Sequence, residues 1–83
     1  MFKSNSTRRD VIRAIVKTVE SPDRTFTQRD GRLVGIKTFR KPVGEKPYFD
    51  ERRTLRRRYL YKVRVVYINR GLGKVIITAY PVL

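Results

Sequence analysis

The 83-residue chain carries 21 Lys/Arg against 7 Asp/Glu, a net charge of +14, and has neither cysteine nor histidine. That composition excludes disulfides, the usual zinc sites and any imidazole base. A chain of this length makes one small domain, with roughly 4–12 kcal/mol of net stability. It has no apolar run near the ~18 residues of a membrane span and no signal-peptide pattern, so a soluble protein of the cytoplasm is expected. A chain this basic repels itself unless something negative lies close by. Nucleic acid is the first partner to expect and an acidic protein the second. A membrane surface fits poorly, because the one amphipathic helix lacks a cleanly basic polar face.

Residues 1–5 read as a loose end. Ser6 or Thr7 offers an N-cap, and Asp10 adds an acid in the first turn. Val11, Ile12, Ala14, Ile15, Val16 and Val19 then recur at helical spacing, which predicts an amphipathic helix from about Arg8 to Glu20. Its β-branched residues lower helix propensity, so it must lean on a sheet. Ser21-Pro22-Asp23 ends it.

Arg24 to Thr27 reads as a short strand, Gln28 to Gly31 as a turn, and Leu33 to Phe39 as a second strand. Gly35 inside that strand marks a bulge or a close approach by another backbone. Arg40 to Pro47 holds two prolines and a glycine and is expected to be a loop. From Tyr48 to Arg58 the favoured reading is a mobile loop, with a short helix or a strand extension as alternatives. Five of the seven residues from Arg52 to Arg58 are arginine.

The runs Tyr59–Ile68 and Lys74–Tyr80 flank Asn69-Arg-Gly-Leu-Gly73 and predict an antiparallel hairpin, closed by Pro81. Alternation puts Tyr59, Tyr61, Val63, Val65 and Tyr67 on one face, with Val75, Ile77 and Ala79. The other face gathers Lys62, Arg64, Thr78 and Tyr80. Val82-Leu83 would cap the edge of the core. The expected architecture is α+β, one N-terminal helix packed on a four-stranded, mainly antiparallel sheet.

Two clusters carry candidate chemistry. Arg52, Arg53, Arg56, Arg57 and Arg58 can grip phosphate with planar forks, and Tyr48, Phe49, Tyr59 and Tyr61 flank them as stacking surfaces for bases. The same run also reads as a solvated charged loop whose tyrosines belong to the core. Lys62, Arg64, Thr78 and Tyr80, with Lys37 as a further member, can position phosphate, stabilise a phosphorane-like transition state and move a proton. They equally read as ordinary outer-face residues. Asp50 and Glu51 are spare acids: either a general base or partners of the nearby arginines. No spacing suggests a metal or cofactor site.

The element order resembles a known family. A helix, a Ser-Pro-Asp turn and a short hairpin precede Tyr-Lys-Val-Arg-Val-Val-Tyr (61–67) and Val-Ile-Ile-Thr-Ala-Tyr-Pro (75–81). That pattern, over Arg8 to Pro81, looks like the small proteins of the barnase/EndoU/colicin/RelE-like superfamily. More narrowly it is similar to phage- and toxin-associated members that close on a Val-Val-Thr-Ala-Tyr/Phe-Pro strand. The resemblance implies a RelE-like fold and a metal-independent endoribonuclease without cofactor, in which a 2′-hydroxyl attacks the adjacent phosphate. It implies Lys62, Arg64, Thr78 and Tyr80 in the site, with Arg57 and Arg58 at its edge. It also implies RNA as partner, free or ribosome-bound, and an acidic antitoxin protein. Related families carry a histidine near the first helix and this chain has none, so a binding-only member is the alternative. A protein that docks on an acidic partner is a third reading.

Overall fold

A computed structural model describes residues 8–83, so the expected loose end and the N-cap lie outside the described residues. Helix α1 spans Arg8–Glu20. Six strands follow: β1 Arg24–Thr27, β2 Leu33–Thr38, β3 Gly44–Phe49, β4 Leu55–Leu60, β5 Lys62–Arg70 and β6 Gly73–Val82. Four of them form an antiparallel sheet in the order β1-β2-β5-β6, and β3-β4 forms a separate two-stranded ribbon. The α+β class and the helix's end at Glu20 match the expectation. The ribbon does not.

The helix covers one face of the sheet. Ala14 packs with Val63, Val65 and Tyr67, and Ile15, Val19, Leu33, Phe39, Val43 and Ala79 surround them. The stripe in use is rotated from the one expected, since Ile12 and Val16 remain exposed while Thr18 is fully buried. Gly35 lies under this contact line. A Cβ there would lie 3.3 Å from the Thr18 carbonyl oxygen, so its absence lets the helix backbone settle on β2. Of the two readings of Gly35, close approach is the one found. The Thr18 hydroxyl donates to the Ala14 carbonyl at 2.7 Å and so is satisfied inside the contact.

The segment expected as loop, residues 40–58, is where sequence reasoning fails. Residues 44–60 make the β3-β4 hairpin, in register from Gly44 opposite Leu60 to Phe49 opposite Leu55. Proline argues against a strand because it removes a ladder donor, but both strands of a two-stranded ribbon are edges. Pro47 is tolerated there, opposite Arg57. The same logic corrects the end of β6, which continues past Pro81 to Val82 on the sheet's edge. Leu83 does not cap the core and is exposed.

The long strand expected from Tyr59 is two strands. Leu60 ends β4 and Lys62 starts β5, and the chain turns at Tyr61, whose carbonyl accepts from the Phe39 amide at 2.7 Å. Consequently Tyr59 and Tyr61 are exposed rather than in the core. In β6 the register slips between Val66 and Tyr67: Thr78 faces Val66, but Ile76 faces Tyr67. The extra residue, Ile77, breaks the alternation, so Val75, Ile77 and Ala79 do not share a face. The β5-β6 turn falls at Gly71-Leu72 as expected, with Gly71 at φ +61°.

A candidate nucleic-acid interface

The sheet face away from the helix carries the polar set. Register aligns Arg24, Ile36, Arg64 and Tyr80 in one row across all four strands. The next row holds Thr38, Lys62 and Val82, and the row on the other side Phe26, Val34, Val66 and Thr78. Arg64 and Tyr80 are thus direct cross-strand partners, with Lys62 and Thr78 at diagonal positions. Direct partners have Cβ atoms about 4.5–5.5 Å apart and diagonal neighbours sit about 7–8 Å away.

Arg64 is held rather than loose. Its guanidinium carbon lies 5.7 Å from the centre of the Phe26 ring, a cation–π arrangement. Its Nε is buried and has no hydrogen-bond partner among the described residues. A buried charged donor without a partner carries a desolvation cost, which an anion at the guanidinium would reduce.

Lys37 does not join this set. It pairs with Val63 on the helix side of the sheet, and its Nζ donates to the Ser21 carbonyl at 2.8 Å and lies 3.9 Å from an Asp23 oxygen. It serves the helix terminus. Two residues not singled out from the sequence take part instead. Arg24 starts the row of Arg64, and Lys46 stands on the ribbon opposite Arg58. Alternation with Phe26 along β1 was the available signal for Arg24, whereas Lys46 was hidden in the supposed loop.

The ribbon has two faces. Lys46, Tyr48, Arg56 and Arg58 share one, and Glu45, Pro47, Phe49, Leu55, Arg57 and Tyr59 the other. Arg58 lies 5.9 Å over the Tyr48 ring. Arg57 pairs with Glu45 at 3.2 Å. Arg52 and Arg53 sit in the tip, where Arg53 adopts φ +61°. Asp50 builds that tip. Its Oδ1 accepts from the Arg52 and Thr54 amides, both at 2.9 Å, and its Oδ2 accepts from Arg56 Nε at 2.7 Å. Of the two roles open to Asp50, partnership with an arginine is the one seen.

The Arg56 side chain holds the Asp50 carboxyl below the ordinary aspartate range, aided by the Thr54 and Arg52 amides and opposed by desolvation. A carboxyl depressed on folding stabilises the tip above its unfolded pKa, and that contribution is lost as pH falls through the folded value. The Arg52 and Thr54 amide resonances are therefore expected to shift together at acid pH. Asp50→Asn, which keeps an acceptor oxygen but cannot titrate, should flatten that transition. An unchanged transition in Asp50→Asn would reject this account.

Three neighbouring hollows along the ribbon and the edge of the sheet together make up a candidate groove. A hollow of about 180 Å³ lies among Lys46, Tyr48, Arg58 and Leu83. Another, of about 370 Å³, shares Lys46 and Leu83 with it and is also bounded by Leu60, Tyr80, Pro81 and Val82. Across Val82 and Leu83 a third, of about 320 Å³, extends to Asp23, Arg24, Ile36, Thr38 and Lys62. Lys46, Arg58, Arg24 and Lys62 line this path against one acid, Asp23, which accepts from the Thr38 amide at 2.7 Å. The walls alternate cation, aromatic and apolar, the composition that holds a phosphodiester backbone while bases rest on rings. Among the described residues no helix is long and apolar enough to cross a membrane. No family model matches the chain, no curated protein matches it and no solved structure matches it.

Proposed function

We propose that the chain is a RelE-like, metal-independent endoribonuclease of toxin type that holds single-stranded RNA along this groove. The observation that carries the reading is Arg64 directly opposite Tyr80, with Lys62 diagonal to Tyr80 on the face away from the helix. In the reaction the 2′-oxygen bonds to the adjacent phosphorus as the bond to the 5′-oxygen breaks. The products are a 2′,3′-cyclic phosphate and a 5′-hydroxyl end. Arg64 and Lys62 offset the charge that grows on the phosphoryl oxygens. Tyr80 gives its proton to the departing oxygen, and the 2′-hydroxyl proton passes to water. Thr78 is a further donor to phosphate, and Arg52, Arg53, Arg56 and Arg58 steer and hold the backbone.

A second reading has its own support. Among the described residues no carboxylate stands in the rows of Arg64 and Lys62, and Asp23, at the groove's end, is engaged by Thr38 and Lys37. A face of cations and hydroxyls without a base can bind RNA and leave it intact. Incubation of labelled single-stranded RNA in EDTA separates the two. Cleavage is expected to leave cyclic-phosphate ends and to fall at least tenfold in Tyr80→Phe. Intact RNA that still migrates as a complex would establish the binding-only reading.

A further inference from the structure

The end of the ribbon carries an apolar pair that neither folding nor phosphate binding uses. Phe49 and Leu55 are direct cross-strand partners at the last rung before the tip. They are 71% and 60% exposed, among the most open large apolar side chains of the chain. The ribbon touches the rest of the fold only sparsely, so no core claims them. Exposed aromatic and aliphatic side chains on a soluble surface mark a contact site.

What surrounds them selects the occupant. Arg52 and Arg53 lie in the tip with Glu51, Arg57 shares the face of the pair and bonds Glu45, and Arg56, on the opposite face, bonds Asp50. An apolar pair on an arm whose lysine and arginines outnumber its acids fits a polyanion that also offers flat apolar surface, and nucleic acid has both. The tip is also stiff enough to act as a wedge. Asp50 fixes it through two amides and Arg56, and its own amide donates to the Thr54 carbonyl at 3.1 Å. Apolar side chains on basic elements enter base steps and unstack them, with flanking cations on the phosphates.

We propose that the β3-β4 ribbon is a wedge that inserts Phe49, backed by Leu55, between two bases of the bound RNA. This rests on the RNA-binding reading above. In that arrangement the groove sets where the backbone runs, and the wedge opens the stack at one end of it. The preferred ligand is a strand whose bases separate easily, as in a loop or a junction.

The chain contains no tryptophan, so Phe49→Trp gives a single reporter at the wedge. Fluorescence anisotropy of labelled RNA with the unaltered chain tests binding as such, and circular dichroism checks that the variants fold. The Phe49→Trp emission is expected to be quenched on adding RNA. Phe49→Ala should weaken binding by roughly 5- to 150-fold, the range for loss of one base–aromatic stack. RNA bound with full affinity by Phe49→Ala, or bound with no change in emission of Phe49→Trp, would overturn the wedge and leave the groove reading standing. Absence of RNA binding by the unaltered chain would overturn both. An emission change on anionic phospholipid vesicles but not on RNA would overturn the wedge in favour of a membrane contact. A concentration-dependent change without RNA would overturn it in favour of self-association.

Discussion

Gly35→Val is expected to destabilise the domain by about 2–3 kcal/mol, although valine is the better strand residue. Two effects compete. β-Propensity scales span only about 1 kcal/mol, so valine gains at most that amount in the strand. Against this, the added Cβ would sit 3.3 Å from the Thr18 carbonyl oxygen, 3.7 Å from Pro22 Cβ and 3.8 Å from Tyr67 Cε1. The first of these is backbone, which cannot rotate away, and valine adds two methyl groups beyond that Cβ. Overpacking of this kind costs about 1–3 kcal/mol, and here the helix must lift off its sheet to relieve it. For a domain of this size the loss corresponds to a fall in Tm of roughly 10–20 °C. Gly35→Ala adds that Cβ alone, with one tight contact at 3.3 Å and two ordinary ones, and recovers some backbone entropy, so it should lie near the parent. Thermal melts of the two variants decide the matter, and a Gly35→Val protein that melts above the parent would refute the close-packing account.

That glycine also separates what was legible in the sequence from what was not. Helical periodicity located α1 and its end at Glu20, and the Asp30-Gly31 and Gly71-Leu72 turns gave two of the three hairpins. The helix's true contact line through Ala14 and Thr18 was not readable, because it is set by where β2 lacks a side chain. The ribbon was missed because Pro42, Gly44 and Pro47 look like loop residues, and a proline such as Pro47 is tolerated only in a strand with a free edge. On the candidate site, Arg64 and Tyr80 follow from alternation counted back from Pro81, since the slip at Ile77 lies beyond them. Lys37 went to the wrong face for a definite reason. Leu33 and Gly35 alternate with Val34 and Ile36, so the two faces of β2 are nearly equal in character. The pairing of Ile36 with Arg64, a tertiary choice, decides between them.

Removal of the Arg64 charge is expected to give the largest functional effect, about 10²–10³-fold in the rate of RNA cleavage. That is the scale for losing one preorganised donor to the charge of a transition state. The position makes Arg64 the key cation of the row. It lies between Ile36 and Tyr80 on adjacent strands, where the sheet is stiffest, whereas Lys62 is on an outer rung and the ribbon arginines are on an arm. The guanidinium is steadied by the Phe26 ring, so little entropy is lost when phosphate arrives. Arg64→Ala would confound chemistry with packing, because the arginine stem covers apolar surface. Arg64→Met is the cleaner variant: it keeps a flexible apolar stem against Phe26 and discards the charge. It should melt close to the parent, bind RNA within a few-fold and cleave at least a hundredfold more slowly. Arg64→Lys should recover part of the rate, since it restores charge without the planar fork. The informative comparison is the single-turnover rate at saturating protein, which removes binding from the measurement. A rate for Arg64→Met within threefold of the parent would take the transition state away from this row. A fall in affinity that matched the fall in rate would instead make Arg64 a binding residue of the groove, as Arg58 and Lys46 are proposed to be.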